Sequence, residues 1–270
     1  KGIVSLRNLV VADTDRLIED IFHEDIIYVE THDDQETVAN TFRKYGFMAL
    51  PVVDKEHRLT GIITFDDIMT VMEDEATEDL QRMAAMVPSE ASYLNSGVFE
   101  LAKMRLPWLL ILMLGASITG SIITKFENLL STYVVLTIFI PMLMNTGGNS
   151  GNQSSTLIIR GLATEDVSLN DAGKVLWKEF RISLVVGIIL ATVNFAKNMV
   201  IDRVGLTVSL TVSVTVALIV ILAKMVGGIL PLLAKKLKLD PAIMAGPLIT
   251  TLVDGLALMV YFGIASVLLI

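Results

Sequence analysis

Residues 241–270 read PAIMAGPLITTLVDGLALMVYFGIASVLLI, thirty positions in which Asp254 is the one charged side chain. As a helix, such a run is long enough to cross a hydrocarbon layer of about 30 Å. A lone carboxylate near its middle costs roughly 2.5–3.5 kcal/mol on insertion scales, so it should face a bundle interior or water. Working backwards, residues 106–124 and 128–159 carry no charge. Residues 182–196 continue past Lys197 to Ile201, and 204–223 continue past Lys224 to Ala234. These runs predict five transmembrane helices, at 106–126, 128–160, 180–202, 205–236 and 241–270.

Charge divides the chain. Residues 1–105 hold 10 basic and 21 acidic side chains, residues 106–270 hold 11 and 8, and the total is −8. At 53% hydrophobic the whole is too apolar for an ordinary soluble domain. The acidic surface excludes nucleic acid as a natural partner and favours cations. With no Cys, disulfides, thiolate metal sites and thiol nucleophiles are ruled out. Lys103 and Arg105, then Arg160, Lys174, Lys178 and Arg181, then Lys235, Lys236 and Lys238 fall on one side of a five-helix layout. The positive-inside rule puts that side, and the acidic N-terminal part, in the cytosol of a multi-pass inner (plasma) membrane protein whose C-terminus lies outside.

The soluble part reads β-α-β-β-α. Residues 26–29 form a strand, and Asp33 to Glu36 open a helix carrying Val38, Phe42 and Tyr45 at helical spacing. Gly46 closes that helix. Strands at 49–54 and 59–65 follow, and Asp66 and Asp67 open a second helix. Residues 73–105 read as a charged helical connector punctuated by Pro88 and Gly97. The chain begins without Met inside an expected strand at 2–6, which reads as a fragment truncated at its N-terminus.

Three places carry chemistry. Asp254 is either a structural group, hydrogen-bonded or paired with Lys224, or an ion-binding carboxylate in a pore; Thr250, Thr251 and the Gly246-Pro247 break favour the second. Residues 141–155, PMLMNTGGNSGNQSS, interrupt an apolar stretch with Gly147, Gly148 and Gly151 and with the amides Asn145, Asn149, Asn152 and Gln153. They read either as small-residue helix packing or as a pore lining with broken helix geometry. Neutral oxygens suit a hard cation, and no His or Cys lies nearby. Asp66, Asp67, Glu73, Asp74, Glu75, Glu78 and Asp79 form an acidic cluster, with Glu75/Asp79 and Asp74/Glu78 sharing helix faces. Like charges at that spacing repel, so the cluster is a solvated face or a cation sensor. His23, His32 and His57 are scattered and read as surface residues.

The stretch 141–153 with its GGNSGNQ core, and 240–254 from Asp240-Pro241-Ala242 to Thr250-Thr251-Leu252-Val253-Asp254, resemble the MgtE family of Mg²⁺ channels. Pro51-Val52-Val53-Asp54, Leu59 to Thr64 and Asp66-Asp67 are similar to a cystathionine-β-synthase (CBS) repeat, and residues 2–7 look like the tail of a preceding copy. The resemblance implies domains at 1–25 (remnant of a first CBS repeat), 26–72 (CBS repeat), 73–105 (connecting plug helix, with its amphipathic part at 73–98) and 106–270 (transmembrane). It implies a homodimer in a lipid bilayer, five transmembrane helices per subunit and a pore on the two-fold axis. Asp254, Asn149, Asn152, Gly148 and Ala245 would line that pore, and Asp34, Glu36, Asp67, Glu75, Glu78 and Asp79 would bind regulatory Mg²⁺. The family's acidic N-terminal helical domain is missing from this sequence, which implies weakened or lost feedback closure. Nucleotide binding, a property of some CBS modules, stays open.

The function expected is Mg²⁺-selective influx through a channel gated by cytosolic Mg²⁺. The alternative is a secondary carrier of divalent cations coupled to Na⁺ or H⁺, since broken helices and a midplane carboxylate suit carriers too. No metal–His constellation, phosphate loop or Ser-His-Asp arrangement points to an enzyme.

Overall fold

A computed structural model describes residues 2–89 and 92–269. The expectations at position 1, at 90–91 in the connector and at position 270 lie outside the described residues. The chain divides into two compact units, Lys1–Thr77 and Glu78–Ile270.

In the first unit the expected opening strand is absent. Ile3 makes one isolated bridge to His23, and helix α1 (Leu6–Val11) begins at once because Ser5 Oγ accepts from Asn8 N–H at 3.1 Å. The strand expected at 26–29 is also corrected: β1 is Val29–Glu30. Helix α2 (Gln35–Tyr45) is capped by Asp34, whose Oδ1 accepts from Glu36 N–H, and closes at Gly46 with φ +65°. Strands β2 (Ala49–Val53) and β3 (Leu59–Thr64) pair antiparallel, and β1 lies parallel to β2 with Val29 opposite Val52. Val29, Val38, Ala39, Phe42, Leu50 and Ile68 form the core beneath this sheet.

Helix α3 (Phe65–Met83) crosses the division between the units. It stops because Ala85 turns left-handed at φ +54°, with Met86 N–H reaching Gln81 O, and Pro88 follows. The helical connector expected over 73–105 is therefore two helix ends and an irregular link. Helix α4 (Val98–Lys125) starts before Lys103 and Arg105, since charge alone does not end a helix and both are good helix formers.

The single helix expected at 128–160 is broken into α5 (Glu127–Thr132), a 3₁₀ stretch (Val134–Phe139) and α6 (Ile140–Ala163). Pro141 explains the break: it fits the first turn of a helix but not an interior. Helix α7 (Ala172–Val200) begins ahead of the expected 180, led in by Leu169–Asp171 and a reciprocal Ser168–Asp171 cap. Helix α8 (Leu206–Lys236) is followed by a 3₁₀ turn (Pro241–Met244) and α9 (Gly246–Leu269), so the run at 241–270 is likewise not one helix. Among the described residues, four stretches are long and apolar enough to cross a membrane: Val98–Lys125, Leu169–Val200, Leu206–Lys236 and Pro241–Leu269. Helix α6 is long enough, but its glycines and amides dilute its apolar character. It packs between α8 and α9, and Leu136, Leu143, Val216, Ile219, Leu258, Tyr261 and Phe262 fill the core around them.

Candidate ion-binding site

The start of α9 is held by a set of short polar contacts. Gly246 has φ +51°, and a Cβ there would run into the carbonyl oxygen of Met83, so glycine is required on two counts. Its N–H donates to Asn152 Oδ1 at 2.8 Å, and Ser155 Oγ donates to Met244 O at 2.6 Å; α6 thus grips both sides of the break before α9. Thr250 and Thr251 return their hydroxyls to Gly246 O and Pro247 O at 2.9 Å. Asp254 follows one turn later. It is half-buried, and its Oδ1 is fully buried without a hydrogen-bond partner. An unpaired carboxylate oxygen of this kind is the group in the unit most in need of a cation, water or proton.

The residues expected around it separate by role. Gly147, Gly148 and Gly151 are buried at helix contacts: a Cβ on Gly148 would lie 2.7 Å from Thr250 Cγ2, and one on Gly151 3.2 Å from Ala223 O. These glycines pack an unbroken helix, so the broken geometry expected at 141–155 is corrected; the break lies ahead of Pro141 instead. The amides sit elsewhere on α6. Asn149 is exposed and bonded to Asn145 at 3.0 Å, whereas Asn152 faces Gly246. Ala245 is buried in extended backbone, packed with Ile159, Ala242 and Met83. Lys224 is not the partner of Asp254. Its Nζ lies 3.4 Å from Ser154 Oγ, which donates to Glu179 Oε2 at 2.6 Å.

The acidic residues proposed as sensors are dispersed. In the first unit, Asp34 caps α2, Gln35 donates to Glu75 Oε1 at 2.6 Å, and Asp67 Oδ2 accepts from the Thr64 hydroxyl and, at 3.1 Å, from Thr64 N–H. The Thr64 hydroxyl bond first, and its N–H second, hold the Asp67 carboxyl below the ordinary 3.8. Glu36 belongs to the first turn of α2. In the second unit, Glu78 takes the Arg82 guanidinium, with Nε at 2.7 Å, and Arg82 also pairs with Asp240 at 3.0 Å. Partial burial weakens the Arg82 charge, but the bond to Glu78 and the charges of Asp240, Glu78 and Asp79 outweigh it and raise its pKa. Among the described residues, no three His, Cys, Asp or Glu side chains gather closely enough to hold a metal.

A family model described as MgtE, divalent cation transporter, matches residues 140–264, the helices that make this site, and a CBS domain model matches 18–74. The magnesium transporter MgtE of Thermus thermophilus is 42% identical over all of this chain and 59% of its own length. That of Bacillus subtilis is 37% identical over 98% of this chain and 58% of its own. The chain belongs to the MgtE family. It spans 59% and 58% of the length of these two MgtE relatives. A solved cytosolic domain of the Mg²⁺ channel MgtE in complex with ATP is 48% identical over 26% of this chain and 29% of that one, with a TM-score of 0.26, too slight to bear on the fold.

Sequence reading missed the Ser154–Glu179–Lys224 network in this MgtE chain. A signal existed: Val175, Glu179, Ser183 and Gly187 recur every four residues and form the buried stripe of α7, while Val185, Ile188 and Ile189 are exposed. In a helix facing lipid the small and polar stripe marks the inside.

Proposed function

We propose that this chain moves divalent cations, Mg²⁺ first among them, across a membrane along a path past Asp254, Asn149, Asn152 and the backbone at Gly148 and Ala245. The observation that carries this reading is the buried, unpartnered Oδ1 of Asp254 on a helix packed against the glycine- and amide-rich α6. Mg²⁺ dehydrates reluctantly and keeps several waters, so one carboxylate with amide and carbonyl oxygens nearby suits a hydrated ion in transit. In a homodimer two copies of Asp254 match the two charges of the ion. Five membrane helices, α4 and α6 to α9, put the first unit in the cytosol. There Asp34, Glu36, Asp67 and Glu75 bind Mg²⁺ through its waters, as Glu78 and Asp79 do in the second unit, and this binding closes the path.

The test is Mg²⁺ uptake into proteoliposomes at matched protein levels. Asp254→Asn should abolish most of the flux, and uptake equal to the unmodified chain refutes the path. Unitary current steps support a channel, whereas flux that depends on a Na⁺ or proton gradient replaces it with the coupled carrier. Gating is read from protease protection of residues 73–98 as Mg²⁺ is raised; identical protection with and without Mg²⁺ removes the sensor role.

A further inference from the structure

Glu179 on α7 and Lys224 on α8 are 6% and 5% exposed, and they meet through the hydroxyl of Ser154 on α6, itself 1% exposed. Ser154 accepts from the Lys224 ammonium and donates to the Glu179 carboxylate, so the three make one neutral, hydrogen-bonded unit. The fold makes room for it with adjacent glycines. A Cβ on Gly227 would collide with Gly151 O and lie 3.1 Å from Ser154 Cβ, and one on Gly228 would lie 3.2 Å from Glu179 Cγ. Ser154 lies about 140° around α6 from Asn149, so the network and that amide stand on different faces of the helix.

We propose that Glu179 and Lys224 are positioning residues for ion passage: they fasten α6 to α7 and α8 and so fix the height of Asn149 and Asn152 against α9 and Asp254. This rests on the pore reading above. Neither side chain touches the ion. Removing one charge leaves the other buried and unmatched, which forces the three helices to readjust. Removing both leaves a neutral contact of similar shape.

The experiment compares Glu179→Gln, Lys224→Met, the double variant and Ser154→Ala in the full chain. Folded yield, thermal midpoint, and the half-saturating Mg²⁺ concentration and maximal rate of uptake are measured in proteoliposomes. Each single charge variant should raise the half-saturating concentration on the order of tenfold. The double variant should return most of the way to the unmodified value, and Ser154→Ala should shift it in the same direction by less. Unchanged half-saturation with a maximal rate that tracks folded yield overturns the inference, because a purely structural role predicts that. A double variant as defective as the worse single also overturns it, by placing one charge on the ion. If the single variants do not fold, an unshifted Ser154→Ala decides against it. Failure of the pore reading is separate: it appears as normal flux in Asp254→Asn.

Discussion

Replacing Gly246 with Ala tests how the start of α9 is held. At φ +51° a side chain costs about 1–2 kcal/mol against the ordinary backbone regions. The new Cβ also meets the carbonyl oxygen of Met83. That atom is backbone, so no rotamer change relieves the contact, and overpacking of this kind costs about 1–3 kcal/mol. The two terms together give a loss of roughly 2–5 kcal/mol. At about 2–4 °C per kcal/mol, the unfolding midpoint of the full chain in detergent should fall by roughly 4–20 °C. Residues 84–97, which follow Met83, should also become easier to cleave. Gly120→Ala is the control: that glycine is inside α4 with nothing within 4 Å of its Cβ position, and the change should be neutral or slightly stabilising. A Gly246→Ala midpoint within about 1 °C of the unmodified chain, with the same cleavage pattern, would refute the packing argued for this turn.

Asn152→Ala strands the Gly246 N–H donor and should cost about 1–3 kcal/mol in thermal or denaturant unfolding. Combined with Gly246→Ala the losses should fall short of additive, since both act on one contact. The Asp67 carboxyl is held below its ordinary 3.8, so what its bonds to Thr64 add to stability is fully present above that value. It is lost as pH falls through the lowered folded value. A carboxyl ¹³C titration of the full chain should put the Asp67 midpoint below 3.8, and Thr64→Val should move it back up; a midpoint that ignores this change contradicts the bond.

Much of the fold was legible because its signals are local. Gly46, the β2 and β3 runs and the uncharged lengths of α4, α7, α8 and α9 speak for themselves in a window of ten to thirty residues. The boundaries that failed are those where hydrophobicity does not report conformation. The run 128–159 stays apolar through a helix, a 3₁₀ stretch and another helix, and Pro141 was the one available marker of the join. Charge was equally poor at dating the start of α4. At the site, Asp254 stood out because a carboxylate in an apolar run is conspicuous whatever surrounds it. Glu179 was hidden among Lys174, Lys178 and Arg181, where an acidic residue looks like part of a charged loop. Its partners lie 25 residues before it in Ser154 and, from Ser154, 70 residues on in Lys224, a distance no local pattern bridges.

The partner of Lys224 is what decides how Asp254 should be read. A carboxylate held inside a bundle by a fixed lysine is a packing feature whose insertion cost is met within the chain. Here the buried lysine is committed to Glu179 through Ser154, where α6, α7 and α8 meet. Arg82 forms salt bridges with Glu78 and Asp240, Lys174 with Asp171 and Lys197 with Asp202, none of them with Asp254. Among the described residues no ion pair or hydrogen bond therefore serves the buried Oδ1 of Asp254, which is left to a proton, to solvation by water, or to a cation. A proton would make it an ordinary neutral acid with no preference among ions. On the function proposed above a cation takes that place, and the grip of Asn152 on Gly246 then has a purpose beyond packing, because it sets where the backbone at the start of α9 stands relative to that carboxylate.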